Sequence, residues 1–199
     1  TGFLGAGKTT YMKKNSEYLV SSHSSQALSL YYCGWENCRS GHFFGPAIRS
    51  HYLFHFILSG QGSYAVKQNT YRLHAGQGFL ICPGESTYYE ADKDVPWSYC
   101  WFSFDGYEAK MVLESCGLSS HQLIFDDHSD GKLKEAVFAM IESFEESQTN
   151  EYAILSRLYS VFACMKLSSP ASQKASNQSY IDKALTFISN NFSYDIKIQ

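Results

Sequence analysis

Between Leu28 and Phe104 the chain is a succession of short strand-like segments broken by glycine and proline, and this punctuation constrains the fold more than any other feature. The segments LSLYYCG, YLFHFILSGQG, SYAVKQNTYRL, HAGQGFLICPGE, STYYEAD and WSYCWFSF are rich in aromatic and β-branched residues and alternate with turn signals. Strands this short satisfy their backbone groups only by pairing with one another, so the stretch predicts an antiparallel sandwich or barrel. Gly60-Gln61-Gly62 and Lys67-Gln68-Asn69 are expected as hairpin turns, and Ala75-Gly76-Gln77-Gly78 leads into a strand that stops at Pro83-Gly84.

After Gly106 the apolar period changes from two to about 3.6. Leu133, Val137, Met140, Ile141 and Phe144 line one face of a helix expected over about 131–148, and Tyr152, Leu155, Tyr159, Phe162 and Lys166 define the stripe of a second. Ile154, Leu158 and Met165 widen its apolar surface. A short loop at Thr149-Asn150 makes the pair an antiparallel hairpin, whose apolar faces suit either the core of this chain or a dimer interface. Residues 168–178 have the composition of a linker, and beyond them Ser179 can cap a helix carrying Ile181, Leu185, Ile188 and Phe192.

With 199 residues, 44% apolar and 16% aromatic, the chain can bury one full core with an appendage. A net charge of -3 gives no general attraction for nucleic acid. No apolar run approaches the roughly 20 residues that span a bilayer, and no signal segment opens the chain, so a cytoplasmic protein without a membrane partner is expected. The 6 cysteines form no CxxC pair; Cys33 and Cys38 could bridge or ligate a metal, but reduced, mostly buried thiols are the favoured reading.

Gly2-Phe3-Leu4-Gly5-Ala6-Gly7-Lys8-Thr9 satisfies the phosphate-loop pattern, and TGFLGAGKTT resembles the opening loop of the metal-chaperone GTPases. That loop works between a buried strand and a helix, and neither is legible around it. Residues 1–11 are therefore expected to be a fusion remnant, with Met12 as a natural start and 12–27 as an N-terminal arm.

A set of motifs joins the strand region into one pattern. It comprises Cys33-Gly34-x3-Cys38-x3-His42-x2-Gly45-Pro46-Ala47-x-Arg49-x2-Tyr52, then Gly76-Gln77-Gly78-Phe79-Leu80-Ile81-Cys82-Pro83, then Tyr88-Tyr89-x-Ala91-Asp92-x3-Pro96-Trp97-x-Tyr99-x-Trp101-x2-Phe104-x-Gly106. These residues resemble the N-terminal half of an AraC-type transcription regulator, in its multiple-sugar-metabolism branch. The resemblance implies a mainly β fold with α: a cupin-like antiparallel β-barrel (jelly roll) over 28–106, a helical packing and dimerisation region over 107–167, and the linker. It also implies the first helix of a truncated helix-turn-helix domain over 179–199. Cupin enzymes hold a metal on inward His and Glu residues; aligned here, those positions fall on Ala47, Arg49, Leu53 and Thr87, which offer no metal-binding His or Glu.

Alternation puts Leu53, His55 and Ile57 on one strand face, Trp97, Tyr99, Trp101 and Ser103 on another, and Thr87 with Tyr89 on a third. The resemblance places ligand contacts at Tyr89, Tyr99 and Trp101. Aromatic plates suit the C–H face of a pyranose, and Arg49 and His55 suit its hydroxyls. Each has a plainer role: Tyr99 and Trp101 can fill the barrel, Trp97 and Phe104 are core, and Tyr88 faces away. His55 can be satisfied by a backbone carbonyl, and Arg49 can pair with Glu85 or Asp92.

No catalytic set, cofactor motif or metal set stands out. The expected protein is the ligand-sensing and dimerisation portion of a sugar-responsive regulator, with a small-molecule sugar, a second copy of itself, and DNA through the missing C-terminal domain as partners. A dimerisation-only cupin module, a metal-free cupin enzyme acting on a sugar, and a nucleotide hydrolase built on the glycine-rich loop are the rivals.

Overall fold

The structure is a computed structural model that describes residues 16–19, 25–146, 150–168 and 185. The glycine-rich loop, the remnant over 1–11 and nearly all of the linker and helix-turn-helix start lie outside the described residues.

Among the described residues ten strands form two antiparallel sheets. In chain order they are β1 (Ser16–Leu19), β2 (Ser29–Asn37), β3 (Phe43–Ile48), β4 (Tyr52–Ser59), β5 (Gln61–Val66), β6 (Asn69–His74), β7 (Gln77–Ile81), β8 (Ser86–Ala91), β9 (Ser98–Asp105) and β10 (Ile124–Asp126). One sheet has six strands in the order β1-β2-β9-β4-β7-β10, and the other has four in the order β3-β8-β5-β6. The predicted cupin-like jelly roll is this pair of sheets. The described residues also form three helices: α1 (Ala109–Ser115), α2 (Lys132–Glu146) and α3 (Glu151–Ser168).

The six-stranded sheet is covered on both faces, which is why Leu53 to Ile57 are buried without a break. Inward, His55 and Trp101 face each other across β4 and β9. Outward, Phe102 and Phe104 meet Phe162 of α3 at ring-centroid distances of 5.9 and 5.0 Å, and Phe54 meets Phe125 at 5.9 Å. The helical hairpin is thus part of this chain's own core.

Several local expectations change. Gly60-Gln61-Gly62 joins no hairpin, because β4 pairs with β7 and β9 while β5 pairs with β6 and β8; the turn carries the chain from one sheet to the other. Lys67-Gln68 does close a hairpin, with Val66 opposite Asn69 and Lys67 at φ 56. β3 was unforeseen because Gly45-Pro46 reads as a turn; the structure absorbs the pair in a register shift between Phe44 and Ala47 on an edge strand. β10 and α1 are too short to register as periods.

In α3 the buried residues are Ile154, Leu158, Val161, Phe162 and Met165, whereas Tyr152 is 83% exposed. The predicted stripe through Tyr152, Leu155 and Tyr159 lies beside the true one and shares only Phe162, because α2 and the sheet together claim the neighbouring face. Asn150 caps the helix from the position before it, its side-chain oxygen accepting from the Ala153 N–H at 3.1 Å. In α2, Leu133, Val137, Met140 and Ile141 are buried as the spacing predicts; the side chain of Phe144 lies outside the described residues. β1, within the predicted arm, adds to the sheet edge by pairing Ser16 with Trp35 and Leu19 with Tyr32.

All 6 cysteines are unbridged, with Cys164 half-buried and the others buried.

Candidate functional site

Four neighbouring strands build the floor of a cleft by alternation. Phe79, His55, Trp101 and Gly34 lie side by side across β7, β4, β9 and β2. Two residues away in either direction, the same face of β2 carries Tyr32 and Glu36, opposite Ser103 and Tyr99. Between them Gly34 presents no side chain, so the floor beside Trp101 stays open. The other sheet supplies Tyr89 from β8 and Phe44 from β3, paired in register with their rings stacked at 5.6 Å.

The result is a cleft of about 270 Å³ lined by Arg49, His55, Tyr89, Tyr99 and Trp101, the five residues singled out from the sequence, and by Tyr32, Glu36, His42, Phe44 and Leu53. That volume sits just below the ~300–1,000 Å³ usual for small-molecule sites, enough for one sugar-sized ring rather than an enclosed oligosaccharide. Tyr32 and Glu36 were legible in principle, since they share the period of Gly34; His42 and Phe44 come from the unforeseen strand and its approach. A second depression of about 250 Å³ lies against β5, β6 and β8, lined by Arg72, His74, Glu90 and Lys93. It lacks the unpaired buried groups and aromatic walls of the first.

His55 is the centre of the aromatic walls. Its ring lies parallel to Phe79 at 4.5 Å, with Tyr89 at 4.9 Å, Tyr99 edge-on at 5.0 Å and Trp101 at 6.3 Å. The residue is 2% exposed, and among the described residues its Nδ1 has no hydrogen-bond partner, so none of their backbone carbonyls satisfies that nitrogen. Burial, and then the charge of Arg49, lower its pKa to about 3, so the imidazole is neutral and each ring nitrogen is donor or acceptor but not both.

Arg49 does not form either predicted ion pair. Glu85 is held by Lys67 at 2.9 Å, and Asp92 accepts from the backbone N–H groups of Asp94 and Val95 at 2.9 and 3.0 Å. The guanidinium instead covers the ring of Phe44, with Nε buried and unpartnered. It is a cation kept in place by a π-face, with donor capacity unspent on any carboxylate.

The tyrosines are kept as phenols. Burial pushes Tyr89 up to about 12 even though Arg49 pulls the other way, and burial together with the neighbouring Tyr89 pushes Tyr99 higher still. The buried Trp97 stacks on Phe79 at 5.9 Å and Phe104 is fully buried beneath α3, both as core residues. Thr87 and Ala47, two of the positions aligned with cupin metal ligands, pair across β8 and β3. The cleft therefore offers neutral donors and acceptors, the Arg49 cation, the Glu36 carboxylate with His42 beside it, and aromatic plates, a set that binds hydroxyls and C–H faces.

The family model for the AraC-like ligand binding domain matches residues 5–162. The Msm operon regulatory protein of Streptococcus mutans is 31% identical over 177 residues, 86% of this chain and 63% of that protein. The lactose operon transcription activator of Staphylococcus xylosus is 25% identical, with 74% and 54% covered. The raffinose operon transcriptional regulatory protein of Pediococcus pentosaceus is 32% identical over 92 residues, 45% of this chain and 33% of that protein. This chain thus spans less than two thirds of the length of each. Among solved structures, the protein YhaK from Escherichia coli is similar with a TM-score of 0.43 at 20% identity, covering 55% of this chain and 48% of that one. A cupin protein from Bacteroides fragilis is similar with a TM-score of 0.38 at 17% identity, covering 49% and 80%.

Proposed function

The chain belongs to the AraC-like ligand binding domain family, and on that premise we propose that it is the ligand-sensing and dimerisation portion of a sugar-responsive transcription regulator. The observation that carries the reading is the cleft itself. Arg49 and His55 each keep an unpartnered buried nitrogen between the rings of Phe44, Tyr89, Tyr99 and Trp101. Buried polar atoms without partners are rare, and a polyhydroxylated ligand supplies hydroxyls to both while laying its apolar face on a ring. The names of two relatives, those of the lactose and raffinose operons, support a sugar as the ligand.

Ligand binding shifts how the arm over 12–27 and the linker over 168–178 present a C-terminal DNA reader, the first helix of which is assigned to 179–199. DNA is thus a partner of the whole regulator, in the cytoplasm. A second copy docks through the helical region over 107–167, supported by the exposure of Tyr152 at 83% and Leu167 at 80% on α3. Among the described residues no helix is long and apolar enough to cross a membrane. Open volume beside Trp101 weighs against a filled, dimerisation-only barrel. A metal-free sugar enzyme is disfavoured because the relatives named above are operon regulators.

The test is thermal unfolding of the chain against mono-, di- and trisaccharides, α-galactosides included, with Trp101→Ala as control. A sugar at about 100 times its dissociation constant adds about 2.7 kcal/mol, or roughly 5–10 °C at 2–4 °C per kcal/mol. A response from one sugar class that disappears in Trp101→Ala is the expected result. No response to any sugar at millimolar levels would overturn the sugar reading.

A further inference from the structure

We propose that Glu36, Cys38 and His42 form a site for a divalent transition metal of the zinc class at the mouth of the cleft. One coordination position is left for water or a ligand hydroxyl.

The three ligand atoms all lie within 4.8 Å of one another, although no strand or helix contains all three residues. The backbone explains how they meet. Glu36 is the penultimate residue of β2, and the Cys38 N–H donates to the Trp97 carbonyl at 3.2 Å, which ties the cysteine to the approach of β9. The His42 N–H then donates to Arg39 at 3.0 Å in a turn that folds the chain back, and the His42 carbonyl accepts from Ala91 at 2.8 Å. Each ligand thus stands on backbone held from elsewhere in the barrel.

The spacing suits a small ion. His42 Nε2 is 3.6 Å from Glu36 Oε2, and bonds of about 2.0–2.3 Å in a tetrahedral site put neighbouring ligand atoms about 3.3–3.8 Å apart. Thiolate, imidazole and carboxylate together select zinc-like ions over magnesium or calcium, which prefer oxygen alone. Three protein ligands with one open position is the arrangement of reactive rather than closed structural sites.

The surroundings add a second observation. Trp97 Nε1 is buried and has no oxygen or nitrogen partner among the described residues; it and the Tyr99 hydroxyl are turned to the Cys38 thiol. Donors of this kind are what a metal-bound thiolate accepts from its outer shell. An ion pair between His42 and Glu36 alone leaves the placement of a buried thiol between two cleft residues unaccounted for. Because Glu36 and His42 also line the cleft, an ion held here meets whatever the cleft binds. These residues are not those aligned with cupin metal ligands, which fall on Ala47, Arg49, Leu53 and Thr87.

The test is titration of the chelator-treated chain with cobalt(II), followed by displacement with zinc. The expected result is one equivalent bound, with a thiolate-to-cobalt charge-transfer band in the near ultraviolet that zinc abolishes. Cys38→Ser should lose the band and Cys164→Ser, at the half-buried thiol elsewhere, should keep it. His42→Gln, at a position with 39% side-chain exposure and little bearing on folding, should weaken binding at least about tenfold, and it decides the matter if Cys38→Ser does not fold. No thiolate band, a band that survives in Cys38→Ser, or undiminished affinity in His42→Gln would overturn the proposal.

Discussion

The guanidinium carbon of Arg49 stands 4.3 Å above the centroid of the Phe44 ring, and Phe44 in turn stacks on Tyr89 at 5.6 Å. The cation is therefore positioned by a column of two aromatic rings rather than by a carboxylate. Its buried Nε remains without a partner among the described residues, while its charge and a side-chain hydrogen bond oppose the effect of burial on Tyr89 and its charge helps keep His55 neutral.

Arg49→Ala should weaken the sugar found by thermal screening by about ten- to a hundredfold, since hydrogen bonds from a charged donor contribute about 1.5–3 kcal/mol. Arg49→Lys should recover little, because an ammonium lacks the planar fork that lies on Phe44. Calorimetric titration of the two variants decides; unchanged affinity in Arg49→Ala would remove the residue from the site.

His55 gives stability a pH dependence of defined sign. Its pKa is lowered from 6.5 to about 3 on folding, so between those values the unfolded chain binds the extra proton. This contribution is complete above pH 6.5 and is lost as pH falls toward 3, at no more than about 1.4 kcal/mol per pH unit. Urea unfolding from pH 6.5 to 4 should show a shallower slope in His55→Gln than in the parent chain. Parallel slopes would mean that His55 does not titrate this way.

Phe162→Ala should destabilise the chain by about 3–5 kcal/mol, because it empties the contact of α3 with Phe102 and Phe104. Hydrogen exchange should show α3 losing more protection than β5 and β6. A loss below about 1 kcal/mol in urea unfolding would mean that the hairpin is only loosely seated on the sheet.

Gly62→Ala tests packing away from the cleft. An added Cβ would lie 2.4 Å from Trp97 Cε3 and 2.5 Å from the Glu90 carbonyl oxygen, so either the indole or the β5–β8 ladder must move. The expected loss is about 1–3 kcal/mol, seen as a lower melting temperature. A variant as stable as the parent would show that the Trp97 pocket is more accommodating than its geometry.

The barrel was legible in the sequence because its strands alternate strongly and glycine or proline marks most of their ends. The same period puts His55 and Trp101 each on one face of its strand, and the register of β4 with β9 makes them partners. What stayed hidden has physical reasons. β3 carries a Gly-Pro pair that local preference reads as a turn, and only pairing with β8 makes it a strand. Arg49 has two carboxylates within a plausible reading of the chain, but Lys67 and an Asp92 turn claim them, and that competition is three-dimensional. In α3 the buried face is chosen by α2 and the sheet together, and a single helix sequence with apolar residues on several sides does not say which stripe wins.

β9 is a partition one residue thick. Tyr99 and Trp101 look into the chamber of the cleft, while Phe102 and Phe104 press on Phe162 on the far side. Trp101 and Phe102 are consecutive residues on opposite faces of one strand, so a backbone shift that moves the indole in one chamber also displaces the Cα that carries the phenyl ring in the other. Behind that ring α3 runs on to Ser168, whose hydroxyl is moored to Asp127 at 3.1 Å. A guest in the cleft and the last turn of the helix are thus mechanical neighbours, separated by the thickness of a wall rather than by the length of the chain.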